Sequence, residues 1–153
     1  MYQAQLSSPL GPVVVSSDGD HVTAIEFGSS NRANTSTCRI LNEALRQLED
    51  YFGGRRKQFD LPLKPSGTDF QQRVWQALTQ VPFGQTVSYA AIADAIHNPK
   101  GVRAVGMANS KNPIAIVVPC HRIIGADGSL TGYAGGLEKK EWLLQHEGCH
   151  WSK

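Results

Sequence analysis

The sequence predicts an α+β protein made of two small domains, 1–66 and 67–153, of which the second is mostly helical. Three observations support this fold class. Short apolar runs between turn residues fill the first 27 positions. Apolar residues at helical spacing dominate the chain after residue 67. Loop-forming residues, Lys64-Pro65-Ser66-Gly67, separate the two regions. The chain has 153 residues, 41% of them apolar and 18% charged, which is ordinary for one or two globular domains.

The first domain is predicted to combine short strands with one helix. Val13-Val14-Val15 and the alternating run His21–Phe27 are typical of strands. From Ile40 to Phe52 apolar residues recur at helical spacing, and two glycines then end the helix. One more strand is predicted from three alternating apolar residues, Phe59, Leu61 and Leu63.

The second domain is predicted to begin with a capped helix and to contain a helix-turn-helix. Thr68 and Gln71 have the spacing of a capping box, so a helix is expected to start there. Two short helices, about 88–96 and about 102–110, flank a tight turn, which is the pattern of a helix-turn-helix. A last helix is expected over about 137–146.

The most informative motif is Pro119-Cys120-His121-Arg122. It follows the apolar run 114–118 and precedes turn-forming residues, so a buried segment is expected to deliver one thiol to the floor of a pocket. The thiolate is the nucleophilic form of cysteine, and neighbouring cationic or imidazole groups lower its pKa. The alternative is a structural cysteine, since free cysteines are among the most buried residues. The adjoining residues favour a nucleophile.

The helix near residues 102–110 is unusually rich in small side chains. Gly106 costs about 1 kcal/mol of helix stability relative to alanine, which indicates a spatial reason for it. One interpretation is a close approach to a narrow groove, with Arg103 reaching into a stack of bases. The other is close packing between helices, with Arg103 in solvent. The small residues are Gly101, Ala104, Gly106 and Ala108.

Several single residues have two interpretations each. Tyr89 is either a core aromatic or a phenol aimed at a ligand. Asn98 and Lys100 are turn residues or phosphate contacts. Asn112 precedes a proline and either forms a turn or pins the loop that carries the cysteine. Glu147 is a charge at a helix end or a carboxylate that orients and polarises the histidine of the motif.

Composition limits the class of protein. Fifteen Lys and Arg against thirteen Asp and Glu give a net charge of +2, which permits nucleic-acid binding without demonstrating it. Three cysteines without a C-x-x-C pair indicate a reducing compartment, and no spacing resembles a metal site, so none is assigned. No signal peptide or membrane-spanning run is visible. A cytoplasmic protein is expected, nucleoid-associated in a bacterium or nuclear in a eukaryote.

The second domain resembles the methylated-DNA–protein-cysteine methyltransferases, or O6-alkylguanine-DNA alkyltransferases. The resemblance is continuous from about Thr68 to Gly148. It implies an N-terminal ribonuclease-H-like α+β domain and a helical C-terminal domain that carries a helix-turn-helix and the alkyl acceptor. It further implies binding in the DNA minor groove with the damaged guanine rotated out of the stack. The matching stretches are Val118–Ile124, Arg103–Gly106, Asn112-Pro113, Gly132–Leu137 and Lys140–Leu144.

The resemblance also implies a role for individual residues. Cys120 matches the alkyl acceptor, and His121 and Glu147 match its relay partners, with a water between the histidine and the sulfur. Asn112 matches the residue that braces the active-site loop. Tyr89 matches the residue that assists extrusion and meets a ring nitrogen of guanine.

The same resemblance implies a set of DNA-binding residues and a set of pocket residues. Ala134 stands where some relatives carry serine, and its smaller side chain is expected to widen the pocket toward bulkier alkyl groups. Arg103 matches the residue that fills the space left by the flipped base. The expected DNA-binding residues are Arg103, Ala104, Gly106, Asn98, Lys100, Gln71 and Tyr89. The expected substrate pocket is formed by Val118, Pro119, Tyr133, Ala134 and Gly135.

The implied function is direct reversal of DNA damage. The alkyl group of O6-alkylguanine, and of O4-alkylthymine as a further substrate, would pass irreversibly to Cys120, once per molecule and without a cofactor. The partner would be double-stranded DNA, and the protein would be a monomer, with cooperative DNA binding left open. Two alternatives remain, a Cys-His-Glu hydrolase or acyl-transfer enzyme and a DNA-binding sensor that detects damage without repairing it.

Overall fold

The protein folds into two α+β units. Backbone proximity assigns Met1–Ser66 and Pro113–Ala115 to the first unit, and Gly67–Asn112 and Ile116–Lys153 to the second. The predicted mixed α+β class is confirmed. The structure is a computed structural model, and it describes three ranges of the chain, residues 2–29, 37–133 and 135–151.

The first unit is built on a three-stranded antiparallel sheet. Its strands are β1 (Tyr2–Ser8), β2 (Gly11–Ser17) and β3 (Val22–Phe27), in that order across the sheet. Leu6 pairs with Val13, and both side chains are buried, as the alternation of a half-covered sheet requires. The two strands predicted within the first 27 residues, over 13–15 and 21–27, are therefore confirmed.

Helix α1 (Arg39–Phe52) covers one face of this sheet and confirms the helix predicted from Ile40 to Phe52. Its inward residues recur every three or four positions, so they form one apolar stripe along the helix. That stripe packs on β1 and β2. The fully buried members are Leu41, Ala44, Leu48 and Tyr51.

The strand predicted over residues 59–63 is wrong. Only Leu63 pairs with the sheet, as an isolated bridge to Val22. The buried Gln47 side chain instead forms hydrogen bonds with the backbone of Asp60. It accepts from the Asp60 N–H at 2.9 Å and donates to the Asp60 carbonyl at 3.1 Å. A proline inside the segment lacks the N–H that a strand ladder needs.

The second unit contains the four predicted helices and a short sheet that the sequence did not predict. The pair is parallel and consists of β4 (Val87–Ser88) and β5 (Ile123–Ile124). Each strand has only two residues, which is too short for a periodic signal. The helices are α2 (Asp69–Leu78), α3 (Tyr89–Ala95), α4 (Val102–Ser110) and α5 (Leu137–His146).

Helices α3 and α4 pack against each other and against α2, in the order expected for a helix-turn-helix. The indole N–H of Trp75 in α2 donates to the carbonyl of Ala108 in α4 at 2.8 Å. Val105 and Ala108 point inward. The opposite side of α4 is therefore the one that faces solvent.

Among the described residues, no helix is both long and apolar enough to cross a membrane. The same parts of the chain contain no group of three or more His, Cys, Asp or Glu arranged to hold a metal ion.

The capping box predicted at the start of α2 is present, and it generates a first prediction. Thr68 Oγ1 accepts from the Gln71 N–H at 3.1 Å, and Gln71 Oε1 accepts from the Thr68 N–H at 2.9 Å. We expect Thr68→Ala to lower the free energy of unfolding by about 1 kcal/mol, measured by urea denaturation. Thr68→Ser keeps the hydroxyl and should match the wild type; equal losses in both variants would contradict the capping role.

Candidate active site

The segment that carries the cysteine is held in an unusual path. Ile116 has a φ of +73°, a conformation that β-branched residues rarely adopt. Asn112 Nδ2 donates to the carbonyl of Val118 at 2.9 Å, and the Cys120 N–H donates to the same carbonyl at 2.7 Å. These bonds fix the backbone immediately before the cysteine. Asn112 thus contacts the loop that the sequence analysis expected it to brace.

Cys120 opens a single turn of 3-10 helix, Cys120–Arg122, and its side chain is buried. Burial raises the pKa of the Cys120 thiol, while hydrogen bonding by Asn112, the charge of Lys140 and hydrogen bonding by Tyr133 act to lower it. The neighbouring cation thus lowers this pKa, as expected from the sequence, but the net direction is upward. The physical reason is that desolvation disfavours the thiolate more than these neighbours favour it. The resting cysteine is therefore a neutral thiol that needs a base.

The next residue, His121, is a base with a buried partner. Its Nε2 lies 2.8 Å from Oε2 of Glu147, and neither side chain is exposed. Burial lowers the pKa of His121, and the charges of Arg122 and Lys140 act in the same direction, against the opposing effect of Glu147. The imidazole is accordingly neutral, and its Nε2 carries the hydrogen that Glu147 accepts. The predicted pairing of His121 with Glu147 is observed.

Arg122 anchors the same carboxylate. Its Nε donates to Glu147 Oε1 at 2.7 Å and its Nη2 to Oε2 at 3.0 Å, while Nη1 donates to the carbonyl of Val81 at 2.7 Å. Burial raises the pKa of Glu147, but the hydrogen bonds and charges of His121 and Arg122 outweigh it and bring the pKa to about 2. Glu147 is therefore ionised at neutral pH and gives His121 a fixed orientation.

The other ring nitrogen of His121 defines what the site can do. His121 Nδ1 is buried and makes no hydrogen bond with any of the described residues. Because Nε2 holds the hydrogen, Nδ1 presents a lone pair. A neutral thiol followed in the sequence by an imidazole that has a free lone pair and an ionised carboxylate as its partner is a combination that can activate a sulfur nucleophile.

Tyr89 meets residues that the sequence analysis did not assign to the site. Its hydroxyl is hydrogen-bonded to that of Thr131, and Lys140 Nζ donates to Thr131 Oγ1 at 3.2 Å. Lys140 has no exposed surface, and burial lowers its pKa to about 8. A signal for Lys140 was available: it lies three and four residues before Leu143 and Leu144, on the apolar face of α5. Thr131 has no such signal, because it lies in a loop.

The exposed side of α4 carries the residues expected to meet DNA. Arg103, Ala104 and Met107 are exposed, the last with 64% of its surface accessible. A Cβ placed on Gly106 would lie 3.7 Å from the ring of Tyr89, an ordinary contact distance. Packing inside the unit therefore leaves room for alanine at position 106, so it does not explain the glycine.

The remaining predicted contact residues lie around the helix-turn-helix. Lys100 is exposed, whereas Asn98 is half-buried and lies against the turn glycine Gly101. Gln71 uses its side-chain oxygen in the cap of α2.

The predicted pocket residues differ in their burial and in their contacts with Cys120. Val118 and Pro119 are buried beside Cys120 in sequence, and Tyr133 interacts with the thiol. Burial also raises the pKa of Tyr133, so its phenol stays protonated. Gly135 is half-buried. Ala134 lies outside the described residues.

Known families match both parts of the chain. The model of the DNA-binding domain of 6-O-methylguanine DNA methyltransferase matches residues 69–149. The model of the ribonuclease-like domain of the same enzyme matches residues 1–65.

Similar proteins match nearly the full length. The methylated-DNA–protein-cysteine methyltransferase of Methanosarcina acetivorans is 48% identical over 97% of this chain and 99% of that protein. The constitutive enzyme of the same name from Bacillus subtilis is 44% identical over 95% of this chain and 94% of that protein. The crystal structure of Mycobacterium tuberculosis OGT in complex with DNA is 45% identical, with a TM-score of 0.89 over 97% of this chain and 93% of that chain. Since both domain models match and these relatives extend along almost the whole sequence, the chain belongs to the 6-O-methylguanine DNA methyltransferase family.

Proposed function

We propose that this protein repairs alkylated DNA by moving the alkyl group of O6-alkylguanine onto Cys120. Direct reversal by transfer to a cysteine is the activity of its family. The observation that supports the assignment to Cys120 is the set of buried contacts His121–Glu147–Arg122, made by the two residues that follow the buried cysteine in the same 3-10 turn. A hydrolase needs the same base, but its covalent intermediate must remain open to water, and family membership favours the methyltransferase.

The reaction begins with loss of the thiol proton. In the proposed step the proton passes to His121 Nδ1, through one water molecule, and Glu147 stabilises the imidazolium that forms. The sulfur then attacks the alkyl carbon: a carbon–sulfur bond forms, the carbon–oxygen bond breaks, and the electron pair stays with the guanine oxygen. Tyr89 donates a hydrogen bond to a ring nitrogen and offsets the charge of the leaving base.

The product explains why each molecule acts once. A thioether has no easily hydrolysed bond, so the modified Cys120 is not regenerated by water. No cofactor takes part in any proposed step.

DNA binding is proposed to use α4. The relative from Mycobacterium tuberculosis has been solved in complex with DNA. In this chain, Arg103 and Ala104 lie on the exposed side of α4, where the helix would enter the minor groove and Arg103 would fill the space left by the flipped base. Gly106 would allow the close approach that the packing inside the unit does not require. Lys100, Asn98 and Gln71 would contact the backbone nearby.

The remaining features of the proposal concern the whole molecule. Residues 1–66 would form the ribonuclease-H-like domain and residues 67–153 the domain that binds DNA and accepts the alkyl group. The protein would act as a monomer in the cytoplasm or on the nucleoid, or in the nucleus of a eukaryote. O4-alkylthymine would be a second substrate, and Ala134 would leave room for larger alkyl groups.

The central prediction concerns Cys120. After incubation with a duplex that contains O6-methylguanine, we expect the protein to gain one methyl group, which peptide mapping by mass spectrometry locates on Cys120. The gain should saturate at one per molecule and be absent from Cys120→Ser. Cys149→Ser keeps the acceptor and serves as the matched control. An unchanged protein mass with an intact lesion would exclude alkyl transfer.

Another prediction concerns the Glu147 carboxylate. Glu147→Gln removes the charge that stabilises imidazolium at His121, so the single-turnover rate of methyl transfer should fall about a hundredfold. The variant also leaves Arg122 without its buried partner, which should cost about 3 kcal/mol of folding free energy at neutral pH.

The pH dependence of stability has a definite sign. Folding lowers the pKa of Glu147 from 4.5 to about 2, so its stabilising effect is present above pH 4.5 and is lost as the pH falls toward 2. We expect the free energy of unfolding, measured by urea denaturation, to fall with pH over this interval more steeply in the wild type than in Glu147→Gln. Glu138→Gln, at an exposed position in α5, should show the same dependence of stability on pH as the wild type. A wild-type pH dependence in Glu147→Gln would contradict the assignment.

The last prediction of this subsection tests the close approach of α4 to DNA. Gly106→Ala should leave the protein folded and up to about 1 kcal/mol more stable, while binding to duplex DNA weakens about tenfold because the added methyl group lies in the contact. Ser110→Ala, on the same helix and exposed, controls for helix propensity. Unchanged DNA affinity in Gly106→Ala, measured by fluorescence anisotropy, would rule out this role.

A further inference from the structure

Three side chains in the second unit form a hydrogen-bonded row. The hydroxyls of Tyr89 and Thr131 are bonded to each other. Lys140 Nζ donates to Thr131 Oγ1 at 3.2 Å and to the Thr131 carbonyl at 3.3 Å. The row connects the first residue of α3 with the buried face of α5. The proposed reaction uses the phenol at one end of the row and leaves Thr131 without a role.

Lys140 lies in a buried position, where a charged group is unfavourable in free energy. Its side chain has no exposed surface, and among the described residues its ammonium group is bonded only to the two oxygens of Thr131 and to no carboxylate. A buried charge without an ion-pair partner costs several kcal/mol unless something compensates. The two oxygens of Thr131 compensate this cation, and the cation in turn constrains the orientation of Thr131.

The donor inventory fixes the direction of the hydrogen bond between Lys140 and Thr131. An ammonium group can only donate, so a lone pair of Thr131 Oγ1 must face Lys140. The hydrogen of the threonine hydroxyl then points away from the cation, in a direction that allows it to be donated to the phenol oxygen of Tyr89. A hydroxyl that accepts from a cation is also a stronger donor, because hydrogen bonds in a chain polarise one another. In this arrangement Tyr89 accepts from Thr131 and keeps its own hydrogen for another partner.

We propose that Thr131 is a positioning residue for Tyr89: its hydroxyl, oriented by Lys140, donates to the phenol oxygen and turns the phenol hydrogen toward the ring nitrogen of the alkylated guanine. This inference rests on the proposed function, in which Tyr89 stabilises the leaving base. As the carbon–oxygen bond breaks, its electron pair spreads from the guanine oxygen into the ring nitrogens. The oriented phenol meets that charge with a hydrogen bond, and no proton needs to leave Thr131 or Lys140.

The test compares variants of Thr131 on two substrates. The full-length protein is mixed with a duplex containing O6-methylguanine at saturating concentration, and the rate of methyl transfer to Cys120 is measured in a single turnover. Thr131→Val and Thr131→Ala remove the hydroxyl, and Thr131→Ser restores it. Ser129→Ala removes a hydroxyl that bonds Asp127 in the same loop and serves as the control. The second duplex carries O6-methyl-3-deazaguanine, in which C–H replaces the ring nitrogen on the minor-groove edge.

We expect the two hydroxyl-free variants to react about tenfold more slowly with O6-methylguanine, with unchanged DNA affinity. Thr131→Ser and Ser129→Ala should react like the wild type. On the 3-deaza substrate the wild type and the hydroxyl-free variants should react equally fast, because the phenol has no ring nitrogen to meet there. The use of two hydroxyl-free variants, with melting temperatures measured for both, separates this effect from a failure to fold.

Three outcomes would overturn the inference while leaving the proposed function intact. These are wild-type rates in Thr131→Val and Thr131→Ala, a slow Thr131→Ser, or an equal loss on both substrates, which would indicate a purely structural role. A wild-type protein that gains no methyl group would instead refute the proposed function itself, and the role of Thr131 with it.

Discussion

The buried carboxylate of Glu147 is the constraint on which the site depends. It is ionised and shielded from water, so both of its oxygens need donors inside the protein. His121 and Arg122 supply these donors from the 3-10 turn, and Arg122 also reaches the carbonyl of Val81. One charge therefore ties the turn that bears the cysteine to the end of α5. Without it, two buried basic side chains would lose their partner and the thiol would lose an oriented base.

Burial controls the protonation state of the two reacting groups in this site. It raises the pKa of the Cys120 thiol, which keeps the sulfur neutral at rest, and it lowers the pKa of His121, which keeps the imidazole able to accept a proton. Both shifts favour the neutral pair, so an ion pair must form only when the reaction requires it. Lys140 lies close enough to oppose the shift at the thiol. The same cation orients Thr131, so a single buried charge acts on both the nucleophile and the phenol of Tyr89.

Local patterns predicted the helices well because their causes are local. The capping box at Thr68 and the apolar spacing of α1, α4 and α5 depend on residues three or four positions apart. The strand predicted over residues 59–63 was wrong because a side chain distant in sequence, Gln47, took its backbone hydrogen bonds. The two-residue strands β4 and β5 were missed because each exists only through the other.

The sequence by itself determined the α+β class, the helix-turn-helix and the adjacency of Cys120, His121 and Arg122, since these follow from spacing and covalent order. Through the resemblance it also indicated the alkyl transfer and the pairing of His121 with Glu147. Only the tertiary structure decided the protonation of the thiol, which depends on burial by residues from several elements. It alone brought Glu147 to Arg122 across 25 positions and Tyr89 to Thr131 across 42. Contacts of this kind arise from packing, and no local period in the chain encodes them.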